Sequence, residues 1–317
     1  MICRKVSIKW LLFIGLTMAV LSFSTGTTAL AKSQKICTAT SNAALEACRS
    51  GVTSDFWIEK GKCNNILDSD AREECKADAK DERKEGGEEC QDQKEARLDV
   101  CDLLGEDPYD PQIDPANFVD PSLIGSFILP NSYFPITRGK SWTYEGGGEI
   151  ITVTVTDDTK LILGVTCAVV RDVVRVNGEV IEDTEDWFAQ DTAGNIWYFG
   201  EISQEFEDGE LVSLEGSWKA GVDRAKPGIV MKAAPQVGDA YRQEFLLGEA
   251  EDVAEVLSVT GSATVPAAAC NGDCVVTRDF SPLEPDVEEN KYYAPNIGLI
   301  LEVDVETGAR VELTSHN

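Results

Sequence analysis

Between Asp186 and Glu201 the sequence reads DWFAQDTAGNIWYFGE, which sets Asp186, Asp191 and Glu201 among Trp187, Trp197 and Tyr198. Two carboxylates held across a cleft beside flat aromatic faces are the equipment of a glycan hydrolase, where one acid protonates the leaving oxygen and the rings stack against sugar. Tyr292 and Tyr293 form a second aromatic pair downstream. The same acids also fit the solvated face of a sheet whose aromatics form its core, and this is the reading we prefer. Trp187, Trp197, Tyr198, Asp186, Asp191, Glu201, Tyr292 and Tyr293 are then candidates for holding a ligand rather than cleaving one.

Other chemistries lack their residues. The one histidine, His316, stands next to the carboxyl terminus, a poor place for a general base or a metal ligand, which argues against histidine triads and histidine–zinc sites. No phosphate loop, dinucleotide fingerprint or Gly-x-Ser-x-Gly elbow occurs in a fitting context, so no organic cofactor is expected. The formal net charge of −28 repels nucleic acid and anionic membranes and leaves cations and cationic partners allowed. Calcium is the one cofactor that remains possible. Four Asp-Pro steps at Asp107, Asp110, Asp114 and Asp120 offer oxygen ligands, but the twelve-residue calcium loop with its central glycine and terminal glutamate is absent.

Residues 1–31 read as a secretory signal peptide: Arg4, Lys5 and Lys9, then an apolar run from Trp10 to Phe23, then Ala29-Leu30-Ala31 as a cleavage site. The run is shorter than the roughly 20 residues of a spanning helix, so no membrane span is expected after cleavage. Cys37, the nearest cysteine, is too far on for lipid attachment. Cleavage removes three positive charges and moves the net charge to about −31. A secreted or periplasmic location follows, where cysteines oxidise. Nine cysteines remain, an odd number.

Residues 32–105 are rich in Glu, Lys, Asp, Ala and Arg, a helical composition. Gly86-Gly87 is the strongest break, and Thr53-Ser54-Asp55 after Gly51 offers a helix start. Cysteines at 37, 48, 63, 75, 90 and 101 are spaced 11, 15, 12, 15 and 11, which is symmetric. Eleven helical residues span roughly 16 Å, so Cys90 and Cys101 cannot pair on one helix. Nested pairs Cys75–Cys90 and Cys63–Cys101 about residue 82 satisfy a helical hairpin and leave Cys37 and Cys48 for each other. The CxxC spacing of zinc sites is missing. The segment reads as a stapled structural appendage in preference to a docking or cation-binding module.

Residues 106–121, with their Asp-Pro steps, read as an extended linker. From 122 to 317 the hydrophobic period is two, as in Ile150 to Thr156, Val253 to Val259 and Leu299 to Val305, and Asn177-Gly178, Asp208-Gly209 and Asn271-Gly272 are hairpin-type turns. Cys167-Ala-Val-Val-Arg171-Asp172 followed by Asp186-Trp-Phe-Ala189 is matched by Cys274-Val-Val-Thr-Arg278-Asp279 followed by Lys291-Tyr-Tyr-Ala294. The cysteine-to-alanine intervals are 22 and 20. A duplicated antiparallel meander, closing into a curved sheet or open barrel, accounts for this. Cys270–Cys274 is the preferred local disulfide, with Cys167 the odd thiol; the rival is Cys167–Cys274.

Tyr133-Phe-Pro-Ile136, Gly139-Lys-Ser-Trp142-Thr-Tyr144-Glu-Gly, Thr264-Val-Pro266 and Lys291-Tyr-Tyr-Ala-Pro-Asn-Ile-Gly298-Leu-Ile resemble the motifs of a broad group of uncharacterised secreted bacterial β-domain proteins and lipoproteins. The resemblance covers about residues 105–317. It implies a secreted β-domain and brings no catalytic residues with it.

The expected fold is therefore mainly β, a duplicated antiparallel meander preceded by a disulfide-stapled helical hairpin. The expected role is non-catalytic binding in the concave face of the β-domain. The expected partner is a small molecule, a cation or an envelope protein. The alternatives are a calcium-binding acidic envelope protein and a carboxylate-based hydrolase acting on glycans.

Overall fold

Helix α1 (Ile36–Cys63) and helix α2 (Ser69–Leu104) form an antiparallel hairpin in the computed structural model, which describes residues 35–317. The signal peptide read at residues 1–31 lies outside the described residues. The turn is made by Asn64 to Asp68, where Asp68 caps α2 by accepting from Asp70 N at 3.1 Å and Ala71 N at 2.9 Å. Short polar side chains satisfy free helix-end amides, which is why Asn and Asp mark this break.

Three disulfides staple the hairpin: Cys37–Cys101, Cys48–Cys90 and Cys63–Cys75, all centred on residue 69. The nested arrangement holds, but its centre is residue 69 and the expected pairs Cys75–Cys90, Cys63–Cys101 and Cys37–Cys48 are replaced. Gly86-Gly87 lies inside α2, and Gly51 to Asp55 lies inside α1. Gly86 serves packing, since a Cβ there would stand 3.0 Å from Val52 Cγ2 on the facing helix.

Sixteen antiparallel strands follow: β1 (Ser141–Gly146), β2 (Glu149–Ile162), β3 (Val165–Val176), β4 (Glu179–Gln190), β5 (Ile196–Ile202), the short β6 (Glu205–Glu207), β7 (Glu210–Ser213) and β8 (Trp218–Lys219), then β9 (Lys226–Met231), β10 (Ala240–Arg242), β11 (Glu244–Phe245), β12 (Val253–Val265), β13 (Ala268–Ser281), β14 (Glu284–Ala294), β15 (Gly298–Asp304) and β16 (Arg310–His316). The hydrogen-bonded path runs β10-β12-β13-β14-β15-β16-β1-β2-β3-β4-β5-β9-β11 and does not close. Its two ends are consecutive in the chain: β10 pairs with β12, and β11, one residue after it, pairs with β9. The sheet is thus bent round until one kinked segment belongs to both edges.

Two hairpins share one register. In β3–β4 the pairs are Ala168↔Phe188, Val170↔Asp186 and Asp172↔Thr184; in β13–β14 they are Val275↔Tyr293, Thr277↔Lys291 and Asp279↔Glu289. Asn177-Gly178 and Asp208-Gly209 are strand-to-strand turns with positive φ at both residues. Asn271-Gly272 instead forms an excursion within β13, bridged by Cys270–Cys274. Among the described residues Cys167 is the free thiol, and it is buried. Four disulfides are the mark of an oxidising, extracytoplasmic compartment.

The Asp-Pro stretch packs onto the sheet. Asp114 and Asp120 each cap a single 3-10 turn, accepting from Ala116 N at 3.0 Å and Ser122 N at 2.8 Å. Val119 N donates to Gln190 O at 3.0 Å and Thr192 N to Asn117 O at 2.8 Å. Phe118 meets Trp197 and Phe199 edge-on at 6.1 and 5.5 Å. All described residues belong to one compact unit, with Arg97 of α2 bound to Glu251 at the sheet.

Candidate functional site

The bent sheet encloses a cavity of about 400 Å³ lined by residues of β1–β5, β9, β11 and β13–β16. Period-two alternation sends every second side chain inward, so strands far apart in sequence meet there. One wall is apolar: Trp142, Ile151, Val153, Val170, Phe188 and Leu299. Its ring tips are tied down, with Trp142 Nε1 donating to Ile297 O at 2.8 Å and the Tyr144 hydroxyl to Leu299 O at 3.1 Å. The segment Tyr133 to Ile136 brings Phe134, Pro135 and Ile136 to the same cavity. Asn131 pins it, since its Oδ1 accepts from Tyr133 N at 2.8 Å and Phe134 N at 3.0 Å while its Nδ2 donates to Gly194 O at 2.8 Å.

The remaining lining is acidic. Asp172, Asp186, Glu244, Asp252, Asp279 and Glu302 surround the cavity with Lys291 as their one cation. Burial, aided by Asp186, Glu182 and Glu302, pushes the Asp172 carboxyl up to about 8. Burial takes Asp186 to about 7, although the Tyr198 hydroxyl donates to it at 2.6 Å and so favours the ionised form. Glu244, Asp252 and Glu302 are pushed up by burial as well. Burial disfavours the Lys291 ammonium, but Glu302 and Asp279 outweigh it and hold its pKa well above the ordinary value. Asp279 is held by Gln243 Nε2 at 2.9 Å and by the Thr277 hydroxyl. One oxygen of Asp172, Oδ1, is buried without a hydrogen-bond partner.

Of the residues singled out in the sequence, Asp186, Tyr198 and Tyr293 line this cavity. Tyr198 stacks on Phe188 at 4.6 Å and meets Trp218 edge-on at 5.3 Å. Gly200 makes that contact possible: with φ +129°, it lets β8 approach so closely that a Cβ would stand 2.3 Å from Trp218 O. Glu201 pairs across the strands with Asp186, and burial and Asp186 push it up to about 8. It lines a neighbouring groove with Trp187, which is buried with the Lys160 ammonium 4.8 Å from its ring centroid. Trp197 lies under Phe118, and Tyr292 packs against the core outside the cavity. Asp191 organises its own turn, accepting from Ala193 N, Asn195 N and Trp197 Nε1 at 2.9, 2.9 and 3.0 Å. Its oxygens are used within the hairpin.

Sequence reasoning passed over Asp172, Glu244, Asp252, Asp279, Lys291 and Glu302. The signal for three of them was the matched pair of meanders, in which Asp172 is the counterpart of Asp279 and Asp186 of Lys291. No group of three or more His, Cys, Asp or Glu side chains among the described residues is arranged to hold a metal ion. No helix among them is long and apolar enough to cross a membrane.

No family model matches the sequence, and no curated protein matches it. Among solved structures, the chain is similar to that of a putative lipoprotein from Parabacteroides distasonis, at 12% identity and a TM-score of 0.34, covering 60% of this chain and 100% of that one.

Proposed function

We propose that this is an exported, non-catalytic binding protein that takes a small organic cation into the bent sheet, apolar body against Trp142, Val153 and Phe188, basic group among Asp172, Asp186 and Glu244. The observation that carries the proposal is the composition of one cavity: an apolar wall faces six acids, of which Glu244 and Asp279 are buried and the other four half-buried, with a single lysine between them. Ligand cavities are typically apolar with a few polar groups that fix orientation. Here those groups share one sign. A buried acid beside other acids keeps its proton, and an incoming ammonium or guanidinium provides the counter-charge that lets it ionise. We further infer that the sheet arose by duplication, supported by the equal registers of β3–β4 and β13–β14.

Isothermal titration calorimetry with tryptamine and with tryptophol, its uncharged alcohol analogue, tests the proposal. At pH 8 the amine binds at least tenfold more tightly than the alcohol, and Asp186→Asn removes most of the difference. Equal affinities, or no binding by a panel of aryl and alkyl amines, would refute it.

A further inference from the structure

A second cavity, of about 180 Å³, lies where the start of α1, the end of α2 and the Asp107 to Tyr109 segment meet the sheet. Two arginines and one glutamate line it: Arg97 on α2, Arg242 on β10 and Glu251 before β12. All three are buried, at 5%, 9% and 1% exposure. Arg97 takes the glutamate by both its oxygens, Nε at 3.1 and 3.0 Å and Nη2 at 2.7 Å, and Gly248 N donates to the same carboxylate at 2.8 Å.

Arg242 has no such partner. Its guanidinium carbon lies 4.7 Å from the ring centroid of Phe245 and 5.7 Å from that of Tyr109, contacts that favour a cation but do not neutralise it. The Nη1 atoms of Arg97 and Arg242 are both buried without a hydrogen-bond partner. The cavity's other acid, Asp107, is exposed. Two buried guanidinium groups against one buried carboxylate leave one positive charge without a counter-charge. Burial lowers the Arg242 pKa; Glu251, whose carboxylate Arg97 holds, and Tyr109 oppose this without outweighing it, and Arg97 adds to the lowering. In a chain of net charge −28, an exposed site would repel anions. This site is buried and locally positive.

We infer that the junction between the helical hairpin and the sheet binds a small oxyanion, a carboxylate or a tetrahedral phosphate or sulfate, between Arg97 and Arg242. Guanidinium groups recognise both shapes through paired N–H donors. The anion supplies acceptors for the two unpaired nitrogens and the counter-charge that Arg242 lacks. It thereby ties α2 and the chain entering the sheet to β10. This site is separate from the cavity inside the sheet and takes ligand of the opposite charge.

The test is calorimetric titration of the oxidised mature protein with sodium acetate, phosphate and sulfate at constant ionic strength in chloride, repeated with Arg242→Met. The expected result is saturable one-site binding of at least one anion to the wild type, weakened tenfold or more in the variant. Acetate preferred over the other two assigns a planar carboxylate, and the reverse order a tetrahedral oxyanion. Should Arg242→Met fail to fold, Leu247→Trp on the exposed rim narrows the cavity and is expected to weaken binding likewise. No saturable binding to the wild type by any of the three, or equal binding by wild type and a folded variant, overturns the inference.

Discussion

A carboxyl group buried beside other acids is more easily protonated in the native state than in the unfolded chain, and Asp172, pushed up to about 8, is such a group. The native state then binds more protons than the unfolded state from about pH 4, near the unfolded Asp pKa, to about pH 8. Stability from this group is fully present at the acid end of that window and is lost as pH rises through it. Asp172→Asn, which stays neutral, is expected to flatten the decline and to stabilise the protein by roughly 1–3 kcal/mol at pH 8; urea unfolding from pH 5 to 8.5 measures both. Arg97 and Glu251 have the opposite character, being paired and buried. Glu251→Gln, which leaves Arg97 without its counter-charge, should cost about 3–5 kcal/mol in the same assay. Little of this was legible in the sequence. A charged residue at an alternating strand position reads as solvent-facing, and only the curvature of the sheet turns Asp172, Asp279 and Glu302 inward. Asp191 shows the converse, since its place among aromatics suggested a ligand and its oxygens are spent on its own turn.

The helical hairpin was legible as an element but not in its register. The cysteine spacing is symmetric about residue 69, where Asn64 to Asp68 provide turn and cap, but the two adjacent glycines drew the break to residue 86. Glycine in a helix costs stability through backbone entropy, and it is tolerated at Gly86 because Val52 leaves little room for a side chain. Gly87 has open space around it. Gly87→Ala is therefore expected to stabilise the hairpin by roughly 0.5–1 kcal/mol, and Gly86→Ala by less or not at all, in thermal unfolding of the oxidised protein. Cys37–Cys101 closes the longest loop, with a sequence separation of 64, and the chain-entropy model assigns such a crosslink about 4 kcal/mol. The double substitution Cys37→Ser with Cys101→Ser should lose up to that amount. Peptide mapping without reduction should recover Cys37 joined to Cys101 and Cys63 to Cys75.

At the scale of the whole molecule, the alternation of apolar residues and the hairpin turns gave the sheet, and the matched meanders gave the equal registers. The curved sheet or open barrel was expected from the matched meanders, but the place of the bend that brings β2–β4 opposite β13–β15 was not readable. It depends on the kinked segment from β10 to β11 and on bulges, such as those in β3–β4 and β12–β13, that no local pattern announces. The Asp-Pro stretch likewise looked like a spacer, and its packing against the sheet depends on Phe118 and Val119, whose partners are about 70 to 80 residues away. These long-range features create the cavity and with it the proposed function. The measurement that tests that proposal most directly is proton release on tryptamine binding, obtained by calorimetry at pH 7.5 in buffers of different ionisation enthalpy. Asp172, Asp186 and their neighbours must ionise to receive the ammonium, so about one proton should leave per ligand bound. Binding with no net proton release would contradict the account.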